Sequence, residues 1–330
     1  MVRKIDWDSQ IGRRLKLRDL HVFSTVVERG SMGKAAQQLG VSTPAVSEVI
    51  AGLEHALGVR LLDRMAQGIE PTVYGGALLK RSVVVFDELK QTIRDIEFLS
   101  DATTGEVRIG CSEGFCYTLL PKITLRFSEQ YPRVYVHTDL TGNLWEAPGL
   151  RERKLDCILH RGSPFAQEPA IDDFNVESLL DDAMVVAAGA DSRWARRRKI
   201  DLAELTDEPW TFGAPDTLNG RNIEKIFRAR GLDMPKPRIA AASITFRARL
   251  VATGPYLSMF LTSVLRQLIA DHYAVTPLPV DLPENHFPVR IVTLKNRTLS
   301  PAVERFLACV REVAASFAGK PASRAARPRA

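Results

Sequence analysis

The chain has 330 residues, enough for two or three domains, with a formal net charge of +6 and 4 cysteines. No apolar run reaches the length of a membrane-spanning helix, Met1–Leu15 is polar and charged rather than a secretion signal, and the cysteines lack metal-ligand spacing. Export, membrane insertion and a metal centre are therefore not expected, a cytoplasmic setting is, and the positive balance draws the chain only weakly to polyanions.

In chain order, Leu17, Leu20, Phe23, Val26 and Val27 form the apolar stripe of a first helix. A second helix, Ser31–Leu39, is kept thin by Ala35 and Ala36, so another helix can cross close to it. Gly40 suits its end, because glycine takes a positive φ without steric cost. Val41 plugs the turn. Ser42 is a hydroxyl N-cap, and Pro44 falls in the first turn of a third helix, where a missing N–H is harmless. Val46, Ile50, Leu53 and Leu57 mark its buried stripe; Pro44, Ser47, Glu48, Ala51 and His55 occupy the opposite face, and Gly58 ends it. This is how a helix-turn-helix is built, with the N-terminal outer residues of the second helix at base edges in the DNA major groove. Thr43, Pro44, Ser47 and Glu48 are the candidate readers, Ser42 adjoins them at the cap, and Lys34 and Arg64 are the phosphate donors. The same spacing fits a plain helical hairpin, but Val59–Thr72 reads as two short strands turning at Ala66-Gln67-Gly68, which adds a wing.

Thr72 then caps a long helix to about Ser100, roughly 40 Å at about 1.5 Å per residue. Its stripe is Leu78, Val85, Leu89, Ile93 and Ile96, with Leu79, Val83 and Phe86 beside it. A lone helix cannot bury such a stripe; the same helix of a second subunit is the simplest partner, and a core partner is the alternative. Asp101–Gly105 is a short hinge. Strands are then expected at Val107–Cys111, Val134–Thr138, Leu155–Leu159, Met184–Ala188, Trp210–Phe212, Arg238–Ala242, Tyr256–Phe260, Tyr273–Leu278 and Val289–Leu294. Helices are expected at Leu119–Glu129, Leu202–Leu205, Leu218–Arg230, Ile244–Thr253 and Pro301–Phe317, with Pro148 interrupting or opening one more. Such alternation implies sheets flanked by helices. A chain crossing out near His160 and back near Asp271 makes two lobes with a cleft, and ligands of open α/β sheets bind beyond the carboxyl ends of strands. Ala318–Ala330 reads as a disordered basic tail.

From Leu17 to about Leu99 the residue order resembles the LysR-type transcriptional regulators. The carriers are Leu20, Phe23, Glu28-Arg29-Gly30-Ser31, Lys34-Ala35-Ala36, Leu39, Val41-Ser42, Pro44-Ala45-Val46-Ser47, Ile50, Leu53-Glu54, Leu57-Gly58-Val59, Leu61-Leu62, Arg64 and Pro71-Thr72. The remainder resembles the family's effector domain through element order and length. The resemblance implies an α/β chain with a winged helix-turn-helix at 1–73, a linker helix and hinge at 74–103, and a two-lobed periplasmic-binding-protein-like domain at 104–318. Lobe I would hold 104–161 and 272–318, lobe II 162–271, and the tail 319–330. It further implies an inverted-repeat DNA operator, a small-molecule effector, homodimers pairing through the linker stripe and assembling as tetramers, contact with RNA polymerase, and no cofactor or metal.

Three departures bear on DNA. Thr43 stands where the family often has Gln, Glu48 where it often has Arg or a similar long polar residue, and Val49 where it often has a polar one. An acid cannot hold a phosphate, but it can accept a hydrogen bond from cytosine N4; Glu48 either reads a C or is a solvated charge that repels wrong sequences. For the effector, the resemblance points to Ser112 and Glu113 after the first strand, Thr141 and Gly142 after the second, Thr211, Phe212 and Ser243–Phe246 from the other lobe, and Arg161 at the crossing. In that family the effectors are often carboxylates, which the Ser112 hydroxyl, the N–H groups after it and Arg161 could hold; the acid at 113 disfavours an anionic ligand, so a neutral or cationic one is the alternative. His137 and His160 are expected to be packed, and so are the cysteines, with a Cys111–Cys116 redox pair as the alternative. No Ser/His/acid order or phosphate loop stands out, so no enzyme is expected. The competing possibility is a two-lobed binding protein or enzyme whose N-terminal helices serve only dimerisation.

Overall fold

The computed structural model describes residues 15–65, 68–101, 104–141, 148–163, 172–213, 217–283 and 285–318. Ala66 and Gln67 of the wing turn, Ala102 and Thr103 of the hinge, Gly142 and the 319–330 tail lie outside them. The chain divides into two compact units, 1–93 and 94–330.

The first unit holds α1 (Leu17–Arg29), α2 (Met32–Leu39), α3 (Thr43–Leu57), the hairpin strands β1 (Leu62–Met65) and β2 (Gly68–Pro71), and most of α4 (Val73–Ser100). Phe23, Val26, Ala35, Val46, Ile50 and Leu53 are buried in one core with Leu61 and Leu62. Leu17, the first residue of α1, stays 48% exposed, and Val22 is buried in the stripe instead. The wing is tied on by polar contacts: the Glu54 carboxylate accepts from the N–H groups of Leu61 and Leu62 at 2.7 and 3.3 Å, and Ile69 N–H donates to the Gly30 carbonyl at 2.9 Å. Thr72 caps α4 as expected, accepting from Gly75 N–H at 3.1 Å. Gly75 is required by proximity, since a Cβ there would stand 2.0 Å from the Leu61 carbonyl oxygen.

The linker helix begins and ends in different cores. Leu78 and Leu79 pack against the first unit's core, and Phe98 is buried in the second unit's. Leu78 therefore leaves the expected pairing seam. Val85, Leu89, Ile93 and Ile96 remain 38%, 41%, 56% and 58% exposed.

The second unit is built on two sheets. A five-stranded sheet has the order β4 (Arg133–Leu140), β3 (Thr104–Cys111), β5 (Cys157–Arg161), β12 (Phe287–Leu294) and β6 (Phe174–Asp182). β3 runs parallel to β4 and β5, whereas β12 is antiparallel to β5 and β6. The first lobe covers this sheet with α5 (Glu113–Tyr117), α6 (Leu119–Gln130) and α10 (Pro301–Ala318). The second lobe holds the antiparallel sheet β10 (Ser258–Leu261), β7 (Met184–Gly189) and β11 (Val275–Pro277), a small parallel pair of β8 (Thr211–Phe212) and β9 (Ile239–Ala240), and helices α7 (Leu218–Ala229), α8 (Ile244–Thr253) and α9 (Thr262–Ala270).

Both crossings come later in the chain than expected. β6 completes the first lobe's sheet, so the outward crossing falls at Asp182–Met184, and β11 still pairs with β7, so the return lies between Pro277 and Phe287. β6, Phe-Asn-Val-Glu-Ser-Leu-Leu-Asp-Asp, is an edge strand with polar residues on both faces, so its alternation is weak. α9 is invisible for another reason: Leu261 at its cap offers no side-chain acceptor. Asp182 supplies one from across the fold, taking Ser263 N–H at 3.2 Å and the Ser263 hydroxyl at 2.6 Å.

Candidate DNA interface and ligand cleft

At the N-terminal site, Gly40 ends α2 with φ +65°, and the Ser42 hydroxyl oxygen accepts from Ala45 N–H at 3.4 Å, starting α3 in the register the sequence predicts. Val46, Ile50 and Leu53 turn inward, which leaves Thr43, Pro44 and Glu48 exposed and Ser47 half-buried on the outer face. Lys34 is exposed on α2, close behind its own cap, where Ser31 Oγ accepts from Lys34 N–H at 3.5 Å. Arg64 lies in β1 opposite Ile69, and its side chain is outside the described set. An exposed helix N-terminus presents unpaired N–H groups and the positive end of its dipole, which suits phosphate; bases must be read by the side chains beyond it.

The second site is a cavity of about 330 Å³ between the two lobes. Ser112, Glu113, Thr141 and Arg161 line it. Ser112 occupies the cap position of α5 without spending its hydroxyl on it. Arg161 ends β5 only 9% exposed, donates to Asp182 at 3.1 Å and lies over the Phe115 ring at 4.4 Å. Burial lowers its pKa first, with Asp182 opposing.

Three expected contacts are elsewhere. Thr211 and Phe212 are fully buried in the second lobe's core, where Phe212 stacks on Trp210 at 5.0 Å between centroids. β8 is short and interior, so its end does not open on the cleft as the end of a long sheet strand would. Phe246 is 49% exposed and off the cavity wall; α8 turns Ile244, Arg247, Ala248 and Val251 inward instead.

The groups missed are on that inward face and on the start of α7. Thr217 and Asn219 line the cavity, and so does Arg247, which is 7% exposed. Arg247 donates weakly to Ser258 Oγ at 3.3 Å and the Met259 carbonyl at 3.4 Å, and its Nε has no acceptor. Burial brings its pKa down to about 10, the Glu113 charge opposing. An arginine three residues after Ile244 falls on the apolar face of α8, which was the available signal. His160 is buried beside Arg161 with a pKa brought to about 4, by burial first and then by Arg290 and Arg161. His137 is not packed as expected; it is half-exposed and 3.2 Å from Asp139. Cys111, Cys157 and Cys309 are buried, and Cys116 is half-buried with its Sγ 3.2 Å from that of Cys111. Among the described residues no cluster suits a metal ion and no helix is long and apolar enough to cross a membrane.

Residues 17–76 match the profile described as bacterial regulatory helix-turn-helix protein, lysR family, and residues 100–315 match that of the LysR substrate binding domain. The chain is 26% identical over 298 residues to the HTH-type transcriptional regulator GbpR of Azospirillum brasilense, covering 90% of this chain and 86% of the relative. It is 25% identical over 276 residues to the HTH-type transcriptional regulator TdcA of Escherichia coli K12, covering 81% and 84%. Among solved structures, CbnR, a LysR family transcriptional regulator, superposes with a TM-score of 0.58 at 20% identity, covering 91% of this chain and 99% of that one. Full-length CbnR complexed with its target DNA gives 0.59 at 20% identity, covering 91% and 100%.

Proposed function

The chain belongs to the LysR family of bacterial transcriptional regulators, and on that premise we propose how its own residues divide the work. It is a DNA-binding regulator with an effector-binding domain that forms oligomers, and not an enzyme. The reader domain is 1–73, the linker 74–103 and the effector domain 104–318, with the lobes exchanging at about 183 and between 278 and 286. It acts in the cytoplasm, on an inverted-repeat operator.

The observation that carries the DNA assignment is the outer face of α3, where Thr43, Pro44 and Glu48 are exposed beside an N-terminus already capped by Ser42. Thr43, Pro44 and Ser47 stand nearest the base edges. Glu48 accepts from cytosine N4, and Lys34 and Arg64 hold phosphates. Val85, Leu89, Ile93 and Ile96 pair with the same stripe of a second chain, presenting two readers whose half-site centres lie about 34 Å apart or a multiple of it. A small molecule in the interlobe cavity, held by Ser112, Thr141, Arg161 and Arg247, shifts the lobes and through them the oligomer and its hold on DNA and polymerase.

Selection from a random duplex pool tests the assignment. The intact chain should recover an inverted repeat, and Glu48→Ala should lose preference at one C per half-site, about 1–3 kcal/mol of discrimination. Unchanged preferences in Glu48→Ala would remove Glu48 from the readers.

A further inference from the structure

The acid in the cleft does not face the cavity as a free charge. Glu113 belongs to the first lobe, and both its carboxylate oxygens accept from the Ile244 N–H, at 3.1 Å each, at the start of α8 in the second lobe. Ser243, the cap of α8, spends its own hydroxyl on Phe246 N–H at 3.3 Å, so the Ile244 amide is a first-turn donor left for an anion.

One turn along α8 is Arg247, 7% exposed on the same cavity, with Nε unsatisfied. Among the described residues no carboxylate lies within 4.0 Å of it. Arg161 on the same cavity also has an Nε without an acceptor, but it differs in having the Asp182 carboxylate at 3.1 Å. A buried guanidinium without a paired anion is costly, and the Phe260 ring 5.1 Å from it offsets only part of that cost. A helix N-terminus and an incompletely satisfied arginine thus share one wall of a cavity of about 330 Å³, and the nearest negative charge is a side chain from the opposite lobe.

We propose that Glu113 is a built-in occupant of an anion site: its carboxylate ties the first lobe to the α8 N-terminus, and a small carboxylic acid takes that place, pairing with Arg247 and releasing the tie. This rests on the interlobe cavity being the effector site. Two carboxylates cannot both take the single Ile244 N–H, and like charges held so close in a low-dielectric cleft repel. The incoming acid replaces the interactions that Glu113 makes, so it costs the site little. What changes is whether lobe is joined to lobe through the protein's own chain. A ligand that binds one arrangement and competes with the other has the differential affinity that shifting an equilibrium needs. The acid at position 113, which on sequence argues against an anionic effector, thereby becomes the reason an anion has an effect.

Chemical rescue with acetate tests this on the full chain. Glu113→Ala removes the occupant and leaves the site. Sodium acetate at 100 mM should then raise its melting temperature by about 3 °C over the same concentration of sodium chloride or acetamide. The parent, whose site is filled, should respond by less than about 1 °C, and Glu113→Ala with Arg247→Gln not at all. If Glu113→Ala does not fold, Glu113→Gln keeps the side-chain volume without the charge and should show the same acetate dependence at smaller amplitude. Equal acetate shifts in parent and variant, or a shift that survives the loss of Arg247, would overturn the proposal. Neither result touches the effector cleft itself, which is tested separately by metabolite-induced stabilisation of the parent and its loss in Thr141→Ala.

Discussion

Replacing Arg247 by Met should stabilise the ligand-free protein. The guanidinium is 7% exposed, and its pKa is brought from 12.5 to about 10, chiefly by burial. At about 1.4 kcal/mol per tenfold change in proton affinity, the charged form is disfavoured by about 3 kcal/mol. Against this stand two long hydrogen bonds, 3.3 Å to Ser258 and 3.4 Å to Met259, and the Phe260 ring 5.1 Å from the guanidinium, together about 2 kcal/mol. Met keeps the unbranched stem and its packing. The net gain is about 1 kcal/mol, which for a domain of about 200 residues is a rise in melting temperature of about 2–4 °C. Scanning calorimetry of the parent and Arg247→Met, without small molecules, measures it directly. A melting temperature that is unchanged or lower would mean that Arg247 is a structural cation already satisfied in place, and the anion site would lose its basis.

Ile93→Asp should raise the dimer dissociation constant at least about 100-fold, because it puts two like charges into a seam now 56% exposed at that residue; sedimentation velocity that still shows the parent's oligomer refutes the pairing face. Gly75→Ala should lower stability by at least about 2 kcal/mol, since its methyl would stand 2.0 Å from the Leu61 carbonyl oxygen; an unchanged urea midpoint contradicts it. His160 binds its proton near pH 4 in the folded chain and near 6.5 when unfolded. The unfolded state therefore holds more protons between those values, and stability falls as pH drops through that window. By pH 4.5 the loss is about 2–3 kcal/mol, and His160→Asn should lack that part of the pH dependence in urea titrations at pH 7.5 and 4.5.

The N-terminal unit was legible because its signals are local. Ser42, Gly40 and Gly58 act on their own helices, and the apolar spacing of Val46, Ile50 and Leu53 needs no distant partner. Thr72 behaves in the same way. The second unit depends on residues far apart in sequence. α9 is capped by Asp182, 81 residues away, and β6 is held as an edge strand by β12. That is why the crossings were expected early and why Phe246 was placed on a wall that Arg247 occupies. Glu113 shows the limit most clearly. Its position at the cleft could be read from the strand before it, but its bond to Ile244, 131 residues on, could not.

Fluorescence anisotropy of the intact chain on the selected duplex tests the central claim most directly. Binding should be specific and should weaken steeply between 50 and 200 mM salt, by about a hundredfold or more, as phosphate contacts release counterions. A small carboxylic acid that stabilises the protein should change that affinity in the parent and leave it unchanged in Arg247→Met. Equal binding to unrelated duplexes, or an affinity indifferent to every acid that stabilises the protein, would contradict an acid-responsive reader of DNA.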